Sequence, residues 1–191
     1  TNWWLGFTSL EPRTGKKLWE LSVFGRPHSE RAISSPIVAG DLVLGVCGFT
    51  TLDKPLVAIR PASVSEDGKA REIWRLENTM PHIPSPLLSG DRLYLWADNG
   101  VITCVRPKTG KQVWKARIEG VKDTFFGSPV RAGNKIFCVS AFGQVVAIAD
   151  GDEFKQLGVT DLNQVCRSTP ALANGDLYLR TGDQLICIKG E

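Results

Sequence analysis

The sequence predicts an all-β fold, a β-propeller of four-stranded antiparallel blades, and three observations predict it. A Ser/Thr-Pro unit occurs four times, at Ser35-Pro36, Ser85-Pro86, Ser128-Pro129 and Thr169-Pro170, each followed closely by a Gly, Asp or Asn turn. The prolines set a period of about 40–50 residues, the length of one propeller blade. Between them lie runs rich in Val, Ile, Leu, Phe and Tyr, too short for helices and punctuated by Gly, Asn and Asp. No segment reads as an amphipathic helix.

In chain order, residues 1–22 read as a partial blade, with a third and a fourth strand in 5–22. Complete blades are expected at 34–77, 85–118 and 128–158, and a second partial blade at 168–189, all within one propeller segment spanning 1–191. Second strands are expected at Leu42–Val46, Leu93–Trp96, Ile136–Ser140 and Leu177–Arg180. Third strands follow at Leu56–Arg60, Val101–Arg106, Val145–Ala149 and Gln184–Lys189. The fourth strand is expected to end in an aromatic, Trp74, Trp114 or Phe154.

The most specific element is Pro107-Lys108-Thr109-Gly110-Lys111-Gln112-Val113-Trp114, which recurs as Pro12-Arg13-Thr14-Gly15-Lys16-Lys17-Leu18-Trp19. Thr-Gly makes a tight turn in which Gly takes a positive φ. The Trp four residues on faces the same side each time. Trp19, Trp74, Trp114 and Phe154 are therefore read as wedges between blades, where a flat ring covers much surface with few rotamers. Burying ~200 Å² gives each Trp at most about 5 kcal/mol. Residues 62–68 replace the Thr-Gly turn by an extended loop, and the turn at Asp150-Gly151-Asp152-Glu153 reads as shortened.

Composition narrows the function classes. Hydrophobic residues are 42% and charged residues 23% of the 191, an ordinary globular balance, and the net charge is +3. Lys and Arg are scattered among Asp and Glu, which argues against nucleic acid or an anionic membrane as partner. No apolar run approaches the ~20 residues of a transmembrane helix, and no signal peptide is legible. The cysteines Cys47, Cys104, Cys138, Cys166 and Cys187 are odd in number and make no CxxC pair, against a disulfide framework or a zinc site. Cys104 and Cys187 occupy matching strands and are both expected to be buried as small apolar groups.

The Gly90-Asp91-Arg92-Leu93-Tyr94-Leu95 start, the Gly100–Val105 turn and strand, and the Thr109–Trp114 end resemble the PQQ-type propeller repeat. That repeat is shared by quinoprotein alcohol dehydrogenases and by the non-enzymatic outer-membrane assembly lipoprotein of the BamB type. The resemblance covers nearly the whole chain, is strongest in 85–118, and implies the C-terminal half of a larger ring, with a closed four-bladed ring as the alternative. It also implies an exported, periplasmic location and a protein partner. Open blade edges would favour self-association. A repeat fixes a fold and leaves the function open.

In this fold the connections from each fourth strand to the next first strand gather at the channel. The binding candidates are therefore His28, Arg31, His82, Lys122, Asp123, Phe125, Asp161 and Arg167. Phe125 has a competing reading, tucked beneath the next strand, and both histidines are expected at the surface. For catalysis, His82 or His28 would serve as base with Asp123, Asp161 or Glu30 orienting it, yet no spacing pairs them and no catalytic motif is present. Quinoprotein dehydrogenases carry an adjacent cysteine pair against the quinone, and this sequence has none. The reading is therefore a non-catalytic interaction or scaffolding propeller with no cofactor. The alternative is a fragment of a quinone-dependent oxidoreductase holding PQQ and calcium in the channel.

Overall fold

The structure, a computed structural model, describes residues 1–25, 31–48, 54–77 and 81–190. The described residues are all-β apart from one 3-10 turn, Ala62–Val64, which fills the loop where the Thr-Gly turn is missing. The chain divides into two compact units, Thr1–His82 with Pro107–Gly110, and Ile83–Arg106 with Lys111–Glu191.

In the first unit β1 (Gly6–Leu10) and β2 (Lys17–Ser22) pair as a two-stranded antiparallel sheet. β3 (Ile37–Ala39), β4 (Leu42–Val46), β5 (Leu56–Arg60) and β6 (Arg71–Leu76) form a four-stranded meander. In the second unit, β7 (Leu87–Ser89), β8 (Arg92–Trp96), β9 (Val101–Val105) and β10 (Gln112–Arg117) form one blade. β11 (Val130–Ala132), β12 (Lys135–Val139), β13 (Gln144–Ala149) and β14 (Gln156–Asp161) form the next. β15 (Ala171–Ala173), β16 (Asp176–Arg180) and β17 (Leu185–Ile188) form a three-stranded sheet. The chain is thus a β-propeller segment whose strands follow the sequence period.

Each Ser/Thr-Pro unit leads into a first strand of only three residues, because the turn that follows stops it. In the last repeat Asn174 and Gly175 both have positive φ, 53° and 85°, the pairing a two-residue hairpin turn requires. The hydroxyls of these units also join successive blades. Ser85 N–H donates to Ser128 Oγ at 2.9 Å, and Ser128 N–H donates to Thr169 Oγ1 at 3.0 Å.

Side chains alternate between the two faces of every strand. One core cluster of the second unit packs Tyr94, Trp96, Ile102 and Cys104 of β8 and β9 against Ile136, Cys138, Val146 and Ile148 of β12 and β13. The opposite face of β12–β13 contributes Val139 and Val145 to another cluster with Leu177 and Leu179 of β16. In the first unit Phe7, Phe24, Cys47, Val57 and Ile59 form one core cluster, with Trp19 packed against it.

The aromatics are placed differently from the sequence expectation. Trp74 and Trp114 lie within β6 and β10, not at their ends. Trp19 pairs with Ser9, Trp74 with Ala58 and Trp114 with Cys104, each beside a register shift. The residue at that position in the third complete blade is Gly158, paired with Ala147. Phe154 precedes β14 and packs instead on Trp114, with ring centroids 5.4 Å apart. The second turn also carries one extra residue: Arg106 N–H donates to Lys111 C=O across the first turn, while Ala149 N–H reaches Lys155 C=O across the second. The second turn is longer, not shorter, which puts Gly158 rather than Leu157 at the wedge position, four residues beyond Phe154.

The cysteine expectation also divides. Cys104 is fully buried, but Cys187 is exposed, because β17 is the outermost strand of its sheet among the described residues and no further strand covers it.

Candidate functional site

His28 lies outside the described residues, as does Glu30. Arg31 is exposed and exchanges backbone hydrogen bonds with Gly48. His82 is buried, contrary to the surface position expected of a loop histidine. Both described candidate carboxylates, Asp123 and Asp161, hold backbone. Asp123 accepts from Thr124 N–H at 2.6 Å and from Phe142 N–H at 2.7 Å, and Asp161 accepts from Asn163 N–H at 2.7 Å. Each is therefore occupied in shaping its loop. Phe125 is fully buried against Trp96, with centroids 5.5 Å apart, so it belongs to the core. Arg167 is exposed with its guanidinium 5.3 Å from the Phe126 ring centroid.

What the second unit does assemble is a loop surface. The β12–β13 turn carries Phe142, 70% exposed, on a backbone pinned by Asp123. The connection after β14 lies directly beside it: Cys166 N–H donates to Ala141 C=O and Leu162 N–H to Gly143 C=O. That connection presents exposed Val165. Lys122 and Thr124 line a groove of about 990 Å³ with Phe142, Arg117 and Asn99. The result is an apolar tip with Arg117 and Lys122 beside it. Phe142 escaped the sequence reading, although a signal existed: the matching turn of the preceding blade is the polar Asp98-Asn99-Gly100.

The most perturbed carboxylate, Asp150, lies elsewhere. Its side chain is 3% exposed and accepts hydrogen bonds from Ser89 at 2.5 Å, Tyr94 at 2.6 Å, Arg131 at 2.7 Å and Arg92 at 3.1 Å. Burial alone would raise its pKa, but these donors outweigh burial and hold it far below the usual carboxylate range. The same residue raises Tyr94, after burial, well above an ordinary phenol. Asp150 is thus a clasp joining β7–β8 to β11 and the end of β13.

The quinone alternative meets a mismatch in the donor set. Among the described residues no three His, Cys, Asp or Glu side chains are grouped to hold a metal ion, and the sequence has no adjacent cysteines. No helix among the described residues is long and apolar enough to cross a membrane.

Meander blades, inter-blade Trp wedges and loops gathered at the blade ends define a β-propeller repeat protein of the PQQ type. More narrowly, the chain belongs to the family described as outer membrane protein assembly factor BamB, whose model matches residues 5–116 and 60–154. The crystal structure of BamB from Moraxella catarrhalis is similar, with a TM-score of 0.68 and 14% identity, over 95% of this chain and 54% of that one. A europium-containing methanol dehydrogenase aligns with a TM-score of 0.53 and 13% identity, over 71% of this chain and 27% of that one. The chain thus spans about half the length of the BamB structure. No curated protein sequence matches it.

Proposed function

We propose that this chain is a non-catalytic protein-interaction module of the cell envelope, exported to the periplasmic side of the outer membrane. Its partner docks on the loop surface built by Phe142, Val165 and Lys122. The observation that carries this reading is Phe142 itself: a large aromatic, 70% exposed, on a turn fixed by the Asp123 carboxylate. An ordered, exposed aromatic loses little freedom on docking and supplies the anchor that interfaces favour. The basic side chains Arg117 and Lys122 beside it suit a partner with an acidic rim. Membership of an outer-membrane assembly family supports the compartment and the choice of a protein partner.

The test is a photo-crosslinking amino acid placed at Phe142 and, as a control, at exposed Val64, in the intact cell envelope. A discrete adduct with an outer-membrane protein at position 142, and none at 64, is expected. Equal, diffuse adducts at both positions overturn the reading. Saturable quenching of tryptophan fluorescence by quinone with calcium would favour the oxidoreductase alternative instead.

A further inference from the structure

The wedge position left vacant at Gly158 opens a cavity. Trp19, Trp74 and Trp114 occupy the same register site in their sheets. In two of them the indole N–H donates to a carbonyl two residues beyond a third strand: Trp74 to Pro107 at 3.1 Å and Trp114 to Gly151 at 3.1 Å. At Gly158 no side chain enters, and a Cβ built there meets nothing within 4 Å. The space it faces measures about 660 Å³, within the ~300–1,000 Å³ of ligand sites. Phe137, Ala147 and Gly158 form one wall; Leu177, Ile188 and Gly190 form the other. Gly190 stands two residues beyond β17, as Pro107 stands beyond β9 and Gly151 beyond β13. The cavity is therefore lined by apolar side chains and by Gly190, the counterpart of Pro107 and Gly151 in chain position.

We propose that this cavity is a binding site for a tryptophan side chain of a partner polypeptide, which inserts between β11–β14 and β15–β17 as Trp114 inserts between its own two sheets. The protein fills the equivalent register position with an indole at Trp19, Trp74 and Trp114. A flat, mostly apolar ring with one N–H donor suits apolar walls with backbone at Gly190, as Trp114 suits backbone at Gly151, whereas an aliphatic side chain supplies no donor. Exposed Lys135 at the rim favours acidic residues flanking the inserted ring. The site is separate from the Phe142 surface, so failure of either reading leaves the other standing.

The test titrates the whole chain with an acetylated, amidated pentapeptide carrying a central tryptophan between glutamates, and with its leucine twin. Amide shifts of Gly158, Gly175 and Gly190 are followed by NMR. Saturating shifts confined to these glycines are expected, with at least tenfold weaker binding of the leucine peptide. Gly158→Trp, which supplies the wedge in cis, is expected to abolish binding and to raise the melting midpoint by several degrees. Should that variant not fold, Ala147→Leu fills the cavity from the paired strand and is read instead. No saturation, equal binding of the leucine peptide, or binding unchanged in the filled variant overturns the proposal. So does a concentration-dependent rise in molar mass by light scattering that Gly158→Trp abolishes, since the occupant is then a second copy.

Discussion

Trp74 leaves no room for a side chain at Gly110: a Cβ there would stand 2.8 Å from Cε3 of the indole, on a backbone with φ +71°. The Thr-Gly turn is thus demanded twice, by conformation and by the close approach of a ring. Gly15, in the matching turn, has φ +70° but nothing within 4 Å of a built Cβ. Conformation alone costs about 1 kcal/mol. Gly15→Ala is expected to destabilise by about that amount, and Gly110→Ala by about 2–3 kcal/mol once the clash is added. Denaturant midpoints of the two variants measure the difference; equal shifts would mean that the indole yields without cost.

Trp114 serves both packing and hydrogen bonding. Its ring centroid lies 5.8 Å from Tyr94 and 5.4 Å from Phe154, and its N–H holds Gly151 C=O. Trp114→Ala is expected to cost about 3–5 kcal/mol through cavity formation. Trp114→Phe keeps most of the packing and loses the donor, so about 1–2 kcal/mol is expected. Urea unfolding of the pair separates the two contributions, and a near-zero shift for the alanine variant would refute the wedge.

Asp150 makes stability depend on acid. Its folded pKa is depressed by the donors around it, so the carboxylate stabilises the fold fully above its unfolded pKa of about 4. That contribution is lost as pH falls from there toward the depressed folded value. Asp150→Asn is expected to destabilise by about 2–3 kcal/mol at neutral pH, because Arg92 and Arg131 lose a buried partner. It should also flatten the decline of the melting midpoint between about pH 5 and pH 2. An unchanged acid slope would place the sensitivity in other carboxylates.

Much of the architecture was legible because the repeat marks its own turns. Leu42–Val46 and Leu56–Arg60 are read from composition and appear as β4 and β5 with the same bounds. What the sequence hid are effects of register and of neighbours. One extra residue between β13 and β14 puts Gly158 instead of Leu157 at the wedge position, with Phe154 four residues short of it, which no count of aromatics reveals. Asp123 and Asp161 resemble acid–base candidates by residue type, yet each satisfies nearby backbone donors. Loop membership exposes Phe142 while it buries His82 and Phe125, so position in a loop gave no guide to exposure.

Cys104 and Cys187 isolate the effect of strand cover, since both stand opposite a tyrosine of the second strand, Tyr94 and Tyr178 respectively. Trp114 pairs with Cys104 from the fourth strand, and burial pushes that thiol up to about 12. Cys138 is raised as well, again by burial. The thiolate is the reactive form, so buried, raised thiols are inert in the folded protein. Cys187 has no strand outside β17 among the described residues and is exposed. A disulfide reagent added to the native protein should therefore modify one of the five cysteines quickly, and the remainder only after denaturant is added. Intact mass measured with time counts the adducts, and Cys187→Ser should remove the fast one. A fast adduct that persists in Cys187→Ser would mean that one of the four buried cysteines opens to solvent, and strand cover would not explain the difference between the two matched sites.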